Sequence, residues 1–280
     1  MKRAPAIAAA IAAILFAGCS LVTDLNGFST GDGGSDVSPI DGATLGDAPS
    51  DGALPRADAE AGADDECNEN GLVAFWRMDV GSGPIAKDCT ANLLHATTLA
   101  GTLMWAPGHR GRSIDLDGTT CLEVGLAEKL KFTTDFTVAL WVLPNAFQTD
   151  GSVDYIIGRR GYDAPNGWRV GLRNDRPTFE IGAPDANLEI LGAPRTRGEW
   201  SHLAVTFTGA KMRLYVEGQP IGALGAGVPA SVISNDNSVR IGCVGGSPVG
   251  RFLRGRLDDV RAYSRALGDA EVLKLYTEGR

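Results

Sequence analysis

Residues 86–96 read AKDCTANLLHA, where side chains capable of chemistry crowd together. Asp88 and Asn92 offer the hard oxygens that calcium prefers, and His95 follows three residues later. Cys89 suits neither calcium nor a plain turn. The stretch is open to three readings: a metal loop, one corner of a disulfide framework, or an Asx-type turn in which Asp88 and Asn92 bond their own backbone. Elsewhere the chemistry thins out. Glu180 in TFEIG and Glu189 in NLEIL alternate along strand-like runs and read as solvated faces. His109 and His202, like His95, stand in unrelated settings and read as structural. No G-x-S-x-G elbow occurs, and the Gly-rich GCVGGSPVG (242–250) lacks the Lys-Ser/Thr of a phosphate loop.

The cysteines bear on the choice between these readings. The chain opens MKRAPAIAAAIAAILFAGCS, with Lys2 and Arg3 before an apolar run ending at Ala17. That run is shorter than the ~20 residues a spanning helix needs. Small residues then precede Cys19, which resembles a bacterial lipoprotein signal whose cysteine is lipidated. Residues 1–18 are thus expected to be a signal peptide and Cys19 the lipidation site, so that the protein is exported and held at a membrane by lipid alone. Ser20 after Cys19 lacks the aspartate that often retains lipoproteins at the inner membrane, which points to the outer membrane. The other cysteines, Cys67, Cys89, Cys121 and Cys243, suggest two disulfides in an exported chain, with three possible connectivities. Their spacing does not match a zinc site.

Residues 19–66 are dominated by Asp, Gly, Ala, Ser and Pro. They hold nine Asp and two Glu against one base, Arg56. Such a segment cannot bury enough apolar surface to offset its ordering entropy, and it reads as a disordered, self-repelling tether. Removing Lys2, Arg3 and Arg56 from 26 bases, and those eleven acids from 34, leaves 23 of each. The remaining domain, residues 67–280, is therefore close to neutral and carries no basic stripe for nucleic acid.

The elements that must position the candidate residues are mostly strands. LVAFWR (72–77), SIDLDG (113–118), FTVALWVLP (136–144), DYIIGRR (154–160), WRVGL (168–172), TFEIG (178–182), HLAVTF (202–207) and MRLYVEG (212–218) are short and rich in β-branched and aromatic residues. In HLAVTF, Leu203, Val205 and Phe207 face one way, and His202, Ala204 and Thr206 the other. FTVALWVLP is apolar on both faces, as befits a strand in the middle of a layered structure. TGAK (208–211) makes a compact hairpin connection. One helix is expected near GDAEVLKLY (268–276), with Val272, Leu273 and Tyr276 as its apolar stripe. The pattern predicts an all-β antiparallel sandwich with a short C-terminal helix.

Four stretches, GLVAFWRMDVGSG (71–83), KDCTANLLHATT (87–98), GRSIDLDGTTCLEV (111–124) and EWSHLAVTF through FLRGRLDDVRAYSRALGDAEVLKLY (252–276), resemble the laminin-G-like jelly rolls of the concanavalin A-like lectin/glucanase superfamily in order and spacing. The resemblance implies two curved antiparallel sheets packed face to face, with Trp76, Trp141, Leu203, Val205, Phe207, Leu214 and Val260 in the core and Trp200 packed under a loop. It also implies a structural calcium held by Asp88, Asn92, the backbone of His95 and Asp258. Against that set, Ala91, Leu93 and Ala96 stand where the family has glycines, and Leu94 replaces an asparagine. If LVAFWR runs out and PIAKDC runs back beside it, Cys89 returns near Cys67, which favours Cys67–Cys89 and leaves Cys121–Cys243. The paired carboxylates of the superfamily's glucanases, Glu-x-Asp-x-x-Glu, are absent from the sequence, so no enzyme activity is expected. The leading expectation is a non-catalytic recognition module for a glycan or an extracellular protein. The alternatives are an assembly lipoprotein whose jelly roll packs against a partner and, less favoured, a glycan hydrolase. Tyr162 and Trp168 are the loop aromatics considered for sugar stacking, with Trp168 better placed as the start of a strand.

Overall fold

A computed structural model describes residues 65–161, 166–182, 187–245 and 250–279. The expected signal peptide, Cys19, the tether as far as residue 64, and Tyr162 lie outside the described residues. The described chain forms two eight-stranded antiparallel sheets, with strands numbered here in chain order. The first sheet runs β14 (Gln219–Leu224), β13 (Met212–Val216), β12 (Ser201–Phe207), β7 (Phe136–Pro144), β16 (Arg254–Tyr263), β5 (Arg112–Asp117), β4 (Met104–Pro107), with β1 (Leu72–Trp76) also paired to β16. The second runs β11 (Asn187–Leu191), β10 (Arg176–Gly182), β9 (Trp168–Arg173), β8 (Val153–Arg159), β15 (Val239–Ile241), β6 (Cys121–Gly125), β3 (Ala96–Ala100), β2 (Ile85–Ala86).

Side-chain alternation explains how the sheets meet. Leu203, Val205 and Phe207 on β12 join Val138, Leu140 and Val142 on β7 in one core with Val170, Leu172, Phe179 and Ile181 of the second sheet. Around Phe136 the rings of Phe132, Trp168, Phe179 and Phe207 lie at centroid distances of 5.0–6.0 Å. Burying one such ring contributes about 2 kcal/mol, so this cluster is the mechanical centre of the sandwich. Trp168 is 1% exposed and belongs to it, which removes Trp168 from the sugar-stacking candidates.

The other face of the first sheet is also covered, and this accounts for the doubly apolar β7. Helix α1 (Asp269–Glu278) lays Val272 and Leu275 on Ala139, Ala204, Tyr215, Tyr263 and Leu267. The Glu271 carboxylate accepts a 2.8 Å hydrogen bond from the Gly268 N–H and satisfies one orphan donor at the helix start. The expected apolar stripe is therefore corrected: Leu275 is buried in place of Leu273, which remains 38% exposed. Trp141 is buried as expected, on the helix side of β7, where it stacks on His109 at 3.5 Å and meets His202 and Tyr276. Trp200 approaches His109 edge-on at 5.9 Å.

Two disulfides pin this frame. Cys67 pairs with Cys89 (Cα–Cα 5.6 Å) and Cys121 with Cys243 (5.4 Å). Glu66, at the end of the expected tether, accepts a 3.2 Å bond from Arg110 and lies 3.8 Å from Arg261. Among the described residues no helix is long and apolar enough to cross a membrane.

Candidate functional site

The loop 88–95 is built from hydrogen bonds that leave its carboxylate nothing to offer a metal. Asp88, 2% exposed, bridges to Trp76 of β1. Its Oδ1 accepts the N–H groups of Phe75 and Thr90, both at 2.9 Å. Its Oδ2 accepts the Leu94 N–H at 2.7 Å and the Thr90 hydroxyl at 2.9 Å. A carboxylate has about four lone-pair positions, and all four are used. Asn92 turns its amide N–H to the Val73 carbonyl (2.7 Å), and its oxygen accepts the Lys129 ammonium. The His95 Nδ1 accepts the Asp88 backbone N–H at 3.0 Å, and the Leu94 carbonyl accepts the Trp76 indole N–H at 2.8 Å. Leu93 takes a positive φ of 52°, so a leucine here adopts the backbone that a glycine would enter more easily.

Asp258 belongs to a different hydrogen-bond system. Fully buried on β16, it accepts the N–H groups of His109 (2.8 Å) and Arg110 (3.0 Å) through Oδ2 and that of Asp259 (2.9 Å) through Oδ1. These bonds clamp the turn between β4 and β5. Gly108 is required there, because a Cβ would lie 2.5 Å from the Asp258 carboxylate. Burial pushes the Asp258 carboxyl up to about 7, against the pull of the Arg110 N–H. Asp259, beside it, takes a positive φ of 47° where the β16–β7 register shifts.

The structure thus gathers Asp88, Asn92 and His95 in one loop and places Asp258 elsewhere. Among the described residues no group of three or more His, Cys, Asp or Glu could hold a metal ion. Calcium takes six to eight oxygens. As placed, the expected set does not fit it, because N–H groups, the Thr90 hydroxyl and one lysine already engage the side-chain oxygens of Asp88, Asn92 and Asp258.

A recess of a different character lies where three connections meet at the edge of the sandwich. A cleft of about 360 Å³ is lined by Phe147, Gln148 and Thr149 from the β7–β8 connection, Asn174 and Asp175 from the β9–β10 turn, and Arg197 from the β11–β12 connection. Asn174 tolerates the left-handed φ of 53° that this two-residue turn demands, and its side chain accepts the Gly151 N–H at 3.2 Å. The Arg195 N–H bonds the Asp175 carbonyl at 2.7 Å. Behind the cleft, Asp154 accepts the Gln148 N–H at 3.2 Å through Oδ2, while its buried Oδ1 has no partner. Burial raises the Asp154 carboxyl above its ordinary range. The Arg197 guanidinium lies 5.4 Å from the Phe147 ring centroid. Amide, carboxylate and guanidinium groups therefore converge beside one aromatic ring, the composition of a site that orients a small polar ligand. Sequence reasoning missed these six residues. The only local signal is Phe147, an aromatic residue in the otherwise polar run NAFQTDGS.

Residues 117–273 match the family model of the concanavalin A-like lectin/glucanases superfamily, in its laminin-G form. The match takes in all three loops of the cleft and leaves residues 86–96 outside. Among solved structures, the fold is similar to domain 4 of AbnA, a GH43 extracellular arabinanase from Geobacillus stearothermophilus, in complex with arabinotriose. That likeness has 22% identity and a TM-score of 0.58, over 75% of this chain and 100% of that one. The fold is also similar to a structure of botulinum neurotoxin type C, whose cell entry depends on interaction with two ganglioside molecules (13%, TM-score 0.59, 79% and 53%). A third is the binding domain of botulinum neurotoxin DC in complex with rat synaptotagmin II (12%, TM-score 0.58, 75% and 52%). This chain spans about half the length of those toxin chains. None of the curated proteins matches it.

Proposed function

The chain belongs to the concanavalin A-like lectin/glucanases superfamily through its laminin-G-like jelly roll, and from that premise we propose that it is a non-catalytic recognition module that binds a glycan in the edge cleft. The observation that carries this reading is the pairing of Phe147 with Arg197 over a recess lined by Gln148, Asn174 and Asp175. A sugar ring presents an apolar face that packs on an aromatic side chain, while its hydroxyls need donors and acceptors around the rim. The relatives solved with arabinotriose, or described with gangliosides, support a glycan; the one solved with synaptotagmin II makes a protein ligand the competing outcome. A glycan array probed with the purified chain is expected to show one responding class. Phe147→Ala is expected to weaken that response about tenfold, equivalent to about 1.4 kcal/mol, measured at a temperature where the variant, which also loses packing against the core, is still fully folded. Uniform silence on the array, or a Phe147→Ala response equal to wild type, sinks the glycan reading.

Display from the cell envelope is part of the same proposal: export by residues 1–18, a lipid on Cys19, and the acidic tether holding the domain away from an outer membrane. Metabolic labelling with palmitate should mark the wild-type chain and fail to mark Cys19→Ser, which should leave the membrane fraction. A labelled, membrane-bound Cys19→Ser protein would refute the anchor.

A further inference from the structure

The edge cleft holds opposite charges that do not neutralise one another. Of its six lining residues, Asp175 on the β9–β10 turn and Arg197 on the β11–β12 connection are the charged ones. Among the described residues neither is ion-paired, with the other or with a third group. Backbone contacts fix the turn: the Asp175 carbonyl accepts the Arg195 N–H at 2.7 Å, and Asn174 before it takes its left-handed φ of 53° while accepting the Gly151 N–H. The Arg197 guanidinium rests over Phe147, 5.4 Å from the ring centroid.

The surroundings do not turn the cleft into a basic pocket. Asp150 follows the lining residue Thr149 in the chain, and its carboxyl is held below the ordinary range, chiefly by the Ser152 hydroxyl and N–H. Nearby arginines are engaged elsewhere. The Arg195 Nε bonds the Pro194 carbonyl at 2.9 Å, and the Arg176 Nε bonds the Gly192 carbonyl at 2.7 Å. Arg173 donates to Glu180, Glu189 and the Gly151 carbonyl. A carboxylated or sulfated sugar would therefore meet one available guanidinium and, in the same recess, the like charge of Asp175, which costs affinity. An uncharged sugar escapes that cost. Each hydroxyl both donates and accepts, so neighbouring hydroxyls can donate to Asp175 and accept from Arg197, and hydrogen bonds to an ionised partner are the stronger kind.

We propose that the edge cleft selects uncharged glycans: Asp175 and Arg197 read neighbouring hydroxyls, and Asp175 turns acidic sugars away. The inference rests on the glycan reading of the cleft and narrows it to one ligand class. It makes Asp175 the residue that sets specificity, with Phe147 supplying the apolar surface that sugars of either class would use.

The test prints uncharged and acidic oligosaccharides on one array, arabinotriose, lactose and cellotriose beside sialyllactose and tri-galacturonate, and probes it with the purified chain at low and high salt. The responding spots should be uncharged ones, and their signal should change by less than about twofold between the two salts, since no net charge is being screened. Asp175→Asn keeps an acceptor and the side-chain shape but loses the charge. It should weaken the uncharged spots about fivefold and let acidic spots rise above background. Arg197→Gln should weaken the uncharged spots and raise no acidic one. The wild-type pattern is a readout independent of whether either variant folds. Acidic spots that respond as strongly as uncharged ones, lose signal in salt and depend on Phe147 would overturn this inference and leave the glycan reading standing. An Asp175→Asn pattern identical to wild type would overturn it too, and silence of every spot would remove both.

Discussion

Asp88→Ala is expected to destabilise the domain by about 3–5 kcal/mol, read as a fall in the urea midpoint at unchanged slope, and by the same amount in millimolar calcium as in chelator. The magnitude follows from what the side chain holds. Its two oxygens satisfy the N–H groups of Phe75, Thr90 and Leu94 and the hydroxyl of Thr90, three of these contacts lying in the buried interior. Alanine would strand those donors, and each unsatisfied one costs about 1–3 kcal/mol. Cys67–Cys89 limits how far the loop can open to let water in. Independence from calcium follows from the same inventory, because the acceptors a metal would need are occupied by N–H and O–H donors and, at Asn92, by Lys129. A wild-type melting temperature that rises with calcium would show that the loop rearranges around the metal, and this account of Asp88 would fail.

The elements that read clearly from sequence are those whose periodicity agrees with burial. HLAVTF and FTVALWVLP appear as β12 and β7, and TGAK closes a hairpin in which the Thr208 N–H bonds the Lys211 carbonyl. The strands that were not legible are short or carry weak β formers. Ile85–Ala86 has two residues, ATTLA (96–100) and QPIGAL (219–224) mix small and polar types, and each depends on a neighbour for its pairing. Trp141 shows a different limit. An apolar residue on a doubly apolar strand must be buried, but alternation alone cannot say whether the other sheet or a helix covers it. The α1 stripe failed for a related reason. Leu275 is chosen over Leu273 by where the helix crosses Tyr215 and Tyr263, a tertiary fact absent from the helical wheel.

The candidate sites divide along the same line. AKDCTANLLHA is legible as a dense set of acceptors, yet whether an oxygen faces a cation or an N–H is decided by Val73, Phe75 and Lys129, all outside the stretch. Asp258 looks like a partner of Asp88 in the linear pattern, but the turn at Gly108 claims its carboxylate first. The edge cleft has no linear signature, since Phe147, Asn174 and Arg197 come from three separate connections and meet only after both sheets have formed.

Acid should act on the domain through His202. The ring lies 1% exposed between the first sheet and α1, edge-on to Trp141 and tilted on Tyr276, with Nδ1 buried and unpartnered. Burial first, then the charges of Arg261 and His109, lowers it to about 3, and the ordinary value of 6.5 is what the unfolded chain retains. As pH falls below about 6.5 the unfolded chain takes up a proton that the folded one refuses until near 3, so stability drops throughout that window. The slope approaches about 1 kcal/mol per pH unit, and several units of it rival a typical domain's whole margin of about 5–15 kcal/mol. Nearby carboxyls titrate over the same range. Asp258, raised to about 7, binds its proton more readily when folded and so acts in the opposite sense between about 4 and 7. The His202 contribution is therefore isolated by difference: chemical denaturation of wild type and His202→Phe from pH 7 to pH 4 should give curves that converge as pH falls, because the variant lacks the histidine's slope. Parallel curves would mean that the folded interior admits the proton, for instance by lifting α1 away from Trp141, and that the helix is a looser cover than its packing indicates.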